Sequence, residues 1–310
     1  MGQANQAFPG PAICFPPLLL RPIQVFITME GRDISEANPV AIVGAGWLGR
    51  ALARHFDVTA IPRRAFHADR VAPGSSVYVA SGRSAISSDE DFSAALRAEL
   101  AHLRSVLVAC ERAGARRVVV LGSSDVAGLD ERVVGTSPLH PLTPYARVKA
   151  ALEDECGLQH ERGAPLTVVR LAPVHGPGKR RTATLLRLAR QPVVPLPGNG
   201  RHSIGFVLLD DAVRALAELA DRPSPCVVSV GAGHTPLRDL LDCLARAQAH
   251  HPRWAPIPLP RWALRRAATM TLPDHLHWIV RISLPRQVAM EVPVEVTPLP
   301  AAGRILVRTC

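Results

Sequence analysis

The sequence predicts an α/β fold, with a doubly wound parallel sheet followed by a smaller, irregular C-terminal lobe. Three observations lead to this fold class. Short apolar runs alternate along the chain with longer stretches of helical spacing, which is the order of βαβ units. The runs at 40–43 and 118–121 are apolar throughout, as expected of strands that helices cover on both faces. After residue 175, prolines and glycines become dense and the regular alternation ends.

The predicted elements can be justified in chain order. The run at 40–43 is apolar and ends at a glycine, as a buried strand does before a tight turn. The helix at 91–113 is rich in Ala and Leu and is stopped by Gly114. The stretch at 69–77 is short, so one crossover helix is expected to be missing or reduced. Strands are predicted at 40–43, 58–61, 77–80, 118–121, 167–171 and 227–230, and helices at 47–56, 91–113 and 145–158.

Composition argues against several classes of protein. Of the 310 residues, 47% are hydrophobic and 20% charged, which is typical of a folded chain rather than a disordered one. The net charge is +10, but only two of the 36 basic side chains are lysine and the arginines form no basic block, so no nucleic-acid partner is expected. The six cysteines form no C-x-x-C pair, which favours a reducing cytoplasm over a disulfide framework or a metal site.

The first 38 residues are predicted to be a loose arm. The segment 11–28 is apolar but interrupted by prolines, has no basic stretch before it, and is a poor secretory signal. No apolar run reaches the length of a membrane span, so no membrane partner is expected. A chain that begins at Met29 is expected to be as stable as the full chain.

A glycine-rich pattern joins the first predicted strand to the first predicted helix. In a dinucleotide-binding βαβ unit, the first glycine permits the tight turn, the second lets a pyrophosphate approach the backbone, and the third lets helix and strand pack closely. In this context the pattern predicts a Rossmann domain; the alternative is a glycine turn without a ligand. The predicted cofactor contacts in the pattern are Gly44, Gly46, Trp47, Leu48 and Gly49.

The second predicted strand runs into Pro62-Arg63-Arg64. An NAD-binding domain usually has a carboxylate here, which binds the ribose hydroxyls. Two guanidiniums would instead bind the 2′-phosphate of NADP. The sequence therefore predicts NADP as the preferred cofactor and NAD as the alternative, although arginines solvated at the surface would give the same pattern.

Tyr145 and Lys149 are four residues apart on a predicted helix and so share one face. An unperturbed tyrosine has a pKa of about 10, and a nearby ammonium lowers it by favouring the phenolate. Tyr145 could then exchange a proton with a substrate oxygen while a hydride moves. The chain has only two lysines and two tyrosines, and one of each occurs in this spacing. The alternative is a solvent-facing pair on the helix.

A third candidate catalytic residue, Ser123, follows the apolar run at 118–121. Its hydroxyl could hold and polarise the reacting oxygen beside the tyrosine. The neighbouring Ser124 and Asp125 could instead satisfy backbone groups of the turn.

Together, these residues resemble the extended short-chain dehydrogenase/reductase superfamily, in particular its NAD-dependent epimerase/dehydratase family. The resemblance covers about 40–249, and the GxGWLG pattern is similar to that of an atypical bacterial branch. It implies that Ser123 orients the substrate, that Tyr145 is the acid/base, and that Lys149 lowers the tyrosine pKa and holds the nicotinamide ribose. It further implies that Ala80 and Ser81 line the cofactor channel.

The sequence departs from the family pattern at several positions. Glu99 stands where the family has asparagine, and Pro173 and His175 stand where nucleotide-sugar enzymes have asparagine and tyrosine. Ile204 replaces the arginine that would bind a substrate diphosphate. Losing that bidentate contact counts against a nucleotide-sugar substrate.

The resulting domain prediction is an arm at 1–38, an NAD(P)-binding Rossmann domain at 39–178, and a substrate lobe at 179–310 from which 206–232 returns to the sheet. Within 206–232, Asp210 and Asp211 are expected to cap the helix that begins near Ala212.

Three functions follow from these residues. The first is an NAD(P)-dependent oxidoreductase or epimerase that moves a hydride between nicotinamide and a carbonyl or carbinol carbon of a small molecule. The alternatives are a nucleotide-sugar epimerase or dehydratase and a non-catalytic NADP-binding regulator. The sequence names no substrate and leaves a homodimer open.

Overall fold

The computed structural model describes residues 39–83, 91–222, 225–270, 280 and 282–308. The predicted arm at 1–38 and the start at Met29 lie outside these residues. The described helices are α1 (Trp47–His55), α2 (Phe92–Arg112), α3 (Pro144–Glu161), α4 (Arg180–Ala189), α5 (Leu209–Asp221), α6 (Leu237–Ala247), α7 (Arg261–Ala268) and α8 (Leu299–Arg308). The described strands are β1 (Val40–Val43), β2 (Ser76–Val79), β3 (Arg117–Leu121), β4 (Arg132–Val133), β5 (Leu166–Leu171), β6 (Val174–His175), β7 (Val193–Pro197), β8 (Val207–Leu208), β9 (Val227–Val230), β10 (Arg253–Ile257) and β11 (Gln287–Val288).

Five parallel strands form the central sheet in the order β1-β2-β3-β5-β9. Helices cover both faces. On one face the sheet packs against α1 and α5, through residues such as Leu52 and Leu216. On the other face it packs against α2 and α3, through residues such as Val106 and Val148. The predicted α/β class, with a doubly wound parallel sheet of the Rossmann type, is therefore confirmed.

The strand predicted at 58–61 is reduced to a single bridge. Ile61 pairs with Val43 on the edge of β1 that β2 does not occupy. Pro62 follows directly and has no N–H to continue the ladder. Between Ile61 and β2 the chain makes only two short 3-10 turns, Arg63–Ala65 and Ala68–Arg70. The prediction that one crossover helix is missing is confirmed.

A third apolar cluster lies beside the sheet, formed by α4, α6, α8, β7 and β8. Ile204 and Phe206 are buried in it. The two-stranded pairs β7–β10 and β4–β11 are also parallel.

The expectation that Asp210 and Asp211 cap a helix near Ala212 is wrong. Helix α5 begins at Leu209, and its N-cap residue makes no side-chain capping bond. Asp211 is 1% exposed and accepts hydrogen bonds from the backbone N–H and the hydroxyl of Thr297. The Asp211 carboxylate therefore does not cap the helix. It binds Thr297 and so holds the C-terminal segment against α5.

Candidate cofactor and active site

The glycine loop has the geometry that close packing requires. Gly44 has a φ of +120°, and a Cβ there would lie 2.5 Å from the backbone of Ala80 and Ser81. A Cβ on Gly49 would lie 1.8 Å from the carbonyl oxygen of Gly44. A Cβ on Gly46, in contrast, would meet nothing within 4 Å. Gly44 and Gly49 thus allow the strand, the turn and the helix to approach one another. Gly46 leaves its side of the backbone open.

A cavity of about 290 Å³ opens onto this loop. Gly46 lines the cavity and is also the N-cap of α1, whose first turn has no acidic residue and no side-chain cap. The N–H groups at such a helix N-terminus attract phosphate. The lining residues are Gly44, Ala45, Gly46, Pro62, Arg63, Ala80, Ser81 and Gly82.

A second cavity of about 510 Å³ shares three lining residues with the first. Its lining is basic, with three arginines and one histidine. Arg64 is exposed, and among the described residues no hydrogen bond or ion pair holds its guanidinium. The lining residues are Arg63, Arg64, Ser81, Gly82, Arg83 and His102.

Arg63 is held by α2. Its Nη1 forms a close ion pair with Glu99, and its Nη2 donates a hydrogen bond of 2.8 Å to the carbonyl of Ala98. Arg83 Nε lies 3.3 Å from the same Glu99 oxygen. The sequence placed Glu99 at a family position but did not show this pairing. The one feature of the sequence that could have indicated this pairing is the position of Glu99, an acidic residue, on the apolar side of a helix.

Ser81 contacts a residue that sequence reasoning missed. Its Oγ lies 2.6 Å from Nε2 of His102, and both residues line the basic cavity. Burial, and then Arg63, lower the pKa of His102. His102 is therefore neutral at physiological pH and can exchange a hydrogen bond with the serine.

The three predicted catalytic residues come from two elements. Ser123 follows β3, while Tyr145 and Lys149 lie on α3, whose first turn is capped by Thr143. The Ser123 hydroxyl is close enough to the Tyr145 phenol to act on its pKa. Lys149 Nζ donates a hydrogen bond of 2.9 Å to the carbonyl of Leu121, the last residue of β3. The end of β3 therefore brings all three residues together.

The pKa of Tyr145 is raised to about 12, chiefly by burial and then by the Asp125 carboxylate. The Ser123 hydroxyl and the Arg181 guanidinium act in the opposite direction. The sequence expectation was that Lys149 lowers this pKa. Among the described residues, the groups that act on it are Asp125, Ser123 and Arg181. The Lys149 ammonium is directed to the Leu121 carbonyl.

Trp47 and Leu48 have different surroundings. Leu48, on α1, packs against the apolar core between this helix and the sheet. Trp47 Nε1 donates a hydrogen bond of 2.7 Å to the carbonyl of Pro177, and Lys179 Nζ lies 4.6 Å from the ring centroid. Trp47 therefore connects the glycine loop to the start of α4.

His175 is buried, and its Nδ1 lies 3.2 Å from the Thr182 hydroxyl. Burial, followed by the charges of Arg181 and Lys179, lowers its pKa to about 4. It is therefore a neutral imidazole with a packing role at neutral pH.

A sequence model described as the NAD dependent epimerase/dehydratase family matches residues 54–231, more than half of the chain. The chain belongs to this family. The match begins after the glycine loop and includes Ser123, Tyr145 and Lys149. A comparison with curated protein sequences found no match.

Three solved structures show a similar fold. RMD from Pseudomonas aeruginosa, complexed with NADPH, has a TM-score of 0.62 and 18% identity over 88% of this chain and 99% of that one. TunA, an NAD-dependent NDP-hexosamine 5,6-dehydratase involved in tunicamycin biosynthesis, has a TM-score of 0.60 and 25% identity over 87% and 97%. MoeE5 in complex with UDP-glucuronic acid and NAD has a TM-score of 0.63 and 21% identity over 87% and 99%.

Within the residues that the structure describes, the longer helices are not apolar enough to cross a membrane.

Proposed function

We propose that this chain is an NAD(P)-dependent oxidoreductase of the short-chain dehydrogenase/reductase type, with cytoplasmic location and a small-molecule substrate. It would move a hydride between nicotinamide and a carbonyl or carbinol carbon. The observation that carries this proposal is that Ser123, Tyr145 and buried Lys149 come together at the end of β3. The strand that ends at this point neighbours β2, and the residues directly after β2 line the two cavities.

The residues present fit a dinucleotide. The open side of Gly46 and the N-terminus of α1 would receive the pyrophosphate. The basic cavity would receive the adenosine end, with Ala80 and Ser81 along the channel. Lys149 would hold the nicotinamide ribose, as the family resemblance implies.

A reduced nicotinamide bound at this site would supply a hydride to the carbonyl carbon. Tyr145 donates its phenolic proton to the carbonyl oxygen, so that the product is a carbinol and the cofactor is left oxidised. Because the pKa of Tyr145 is raised to about 12, the phenol is protonated at neutral pH and ready to donate. The Ser123 hydroxyl, which acts on the same phenol, would hold the same oxygen.

NADP is the preferred cofactor in this proposal. No carboxylate follows Ile61, where it would repel a 2′-phosphate, and Arg64 lines the basic cavity without a protein partner among the described residues. Arg63 lines both cavities but already pairs with Glu99. We therefore assign the larger share of 2′-phosphate recognition to Arg64 and a supporting share to Arg63.

The second candidate function is a nucleotide-sugar epimerase or dehydratase. It is favoured by the structural neighbours, since TunA is described as an NDP-hexosamine dehydratase and MoeE5 is in complex with UDP-glucuronic acid. Ile204 opposes it, because this side chain is 5% exposed within an apolar cluster and offers no charge to a diphosphate. The regulator alternative is disfavoured by the intact set of Ser123, Tyr145 and Lys149.

The test is calorimetric titration with NADPH and NADH, followed by a panel of carbonyl substrates read by NADPH absorbance. Oxidation of NADPH in proportion to the product formed would support the oxidoreductase. Conversion of a nucleotide sugar without net NADPH consumption would support the second candidate, because an epimerase recycles its cofactor. Failure to bind either nucleotide would overturn both.

A further inference from the structure

A buried carboxylate lies between the basic cavity and the catalytic lysine. The Glu99 side chain on α2 is 2% exposed, and its Oε1 faces Arg63 and Arg83. Its other oxygen, Oε2, faces Gly82, since a Cβ built on that glycine would lie 3.9 Å from it. The two arginines offset the cost of burying this negative charge.

Lys149 approaches Gly82 as well. A Cβ on Gly82 would lie 2.7 Å from Nζ of Lys149, closer than real contacts allow. The missing side chain at Gly82 therefore lets the ammonium and the Glu99 carboxylate come near each other. Lys149 is 9% exposed, so water screens this interaction poorly.

The groups acting on Lys149 come from the elements packed around it. Burial lowers the pKa of Lys149, and Glu99 on α2 opposes this most strongly, followed by Cys156 on the same helix as the lysine. Burial raises the pKa of the Cys156 thiol, which is therefore neutral. β3 contributes the uncharged Leu121 carbonyl. Arg63 and Arg83 act on Lys149 indirectly, because both pair with Glu99.

We propose that Glu99 is a positioning residue that keeps Lys149 in its ammonium form, and that Arg63 and Arg83 set how much of the Glu99 charge reaches the lysine. The inference rests on the proposed function only for the importance of Lys149 to catalysis. Because Arg63 lines the cavity assigned to the adenosine end of the cofactor, one carboxylate connects that cavity to the residue assigned to the nicotinamide ribose.

The composition of the chain makes a direct test possible. Lys149 and Lys179 are the only lysines, so full-length protein labelled with carbon-13 at lysine Cε gives two resonances. Lys179→Arg assigns them. The Lys149 resonance is then titrated with pH in the parent protein, in Glu99→Gln and in the matched control Glu111→Gln, which changes an exposed glutamate on the same helix.

In Glu99→Gln we expect the pKa of Lys149 to fall by about one unit, because an opposite charge has been removed while the burial remains. Glu111→Gln should leave it unchanged. Arg63→Gln should raise it, because a cation is lost and the Glu99 charge is less compensated. Glu99→Asp keeps the charge and should restore most of the parent value.

Equal Lys149 pKa values in the parent and in folded Glu99→Gln would overturn the proposal. If circular dichroism shows that Glu99→Gln is unfolded, the test uses Arg63→Gln instead. A Lys149 pKa that does not rise in Arg63→Gln would then overturn the proposal. The titration needs neither cofactor nor substrate. A protein that binds no NADPH would therefore count against the proposed function and leave this result standing.

Discussion

The indole nitrogen of Trp47 donates a hydrogen bond of 2.7 Å to the carbonyl oxygen of Pro177, 130 residues later in the chain. Trp47 opens α1 directly after the glycine loop, and Pro177 precedes α4. Gly176 permits this contact, because a Cβ there would lie 3.1 Å from the indole ring. The bond therefore fixes the chain leading to α4 against the glycine loop of the cofactor site.

Trp47→Phe keeps an aromatic ring and removes this hydrogen bond. The free energy of unfolding should fall by about 0.5–1.5 kcal/mol, the usual net contribution of one bond. Urea denaturation measures the change. The matched control is Trp262→Phe, at a tryptophan that is 71% exposed, which should change little. Equal stabilities of parent and Trp47→Phe would show that the bond contributes nothing measurable.

Tyr145→Phe tests the acid/base role. Turnover should fall by a factor on the order of 10²–10⁴, because the proton donor is removed, while the dissociation constant of NADPH should stay the same. The other tyrosine of the chain provides the control: Tyr78 is buried and donates to the Leu216 carbonyl. Tyr78→Phe should lower stability and keep turnover. Unchanged turnover in Tyr145→Phe would refute the mechanism.

Arg64→Ala tests cofactor selectivity. Loss of one guanidinium–phosphate contact, about 1.5–3 kcal/mol, should weaken NADPH binding roughly tenfold or more and leave NADH nearly unaffected. Calorimetry of both nucleotides measures the ratio. Arg70→Ala, at an exposed arginine of the same loop outside the cavity lining, is the matched control. If Arg64→Ala weakened the binding of NADPH and NADH equally, the 2′-phosphate would not be bound by Arg64.

His175 makes stability depend on pH. Its pKa is about 4 in the folded chain, against an ordinary value of 6.5, so between these values the unfolded chain binds the extra proton. Stability should therefore decrease as the pH falls from about 6.5 towards 4, by at most about 3 kcal/mol from this residue. His175→Asn should flatten this part of the curve in urea denaturation, whereas His67→Asn, at an exposed histidine, should not. A curve of unchanged slope in His175→Asn would contradict the prediction.

The chain sequence was sufficient for the parts of the fold that depend on local pattern. Apolar runs bounded by turn residues placed β1 and β9 at their observed limits, and helical spacing placed α1 and α2 to within one residue at each end. The short stretch before β2 correctly indicated the missing crossover helix. The glycine pattern predicted a tight strand–turn–helix junction, because Gly44 and Gly49, at the two ends of a six-residue pattern, leave no room for a Cβ.

Tertiary structure decided what depends on residues far apart in the chain. Arg63 and Glu99 are 36 residues apart, and Asp211 and Thr297 are 86 apart. No local pattern reports such pairs, so the partner of Arg63 and the role of Asp211 were not predictable. The raised pKa of Tyr145 was not predicted for the same reason. The i, i+4 spacing fixes where Lys149 lies relative to Tyr145 along the helix, but burial and the carbonyl of Leu121 determine where its charge acts.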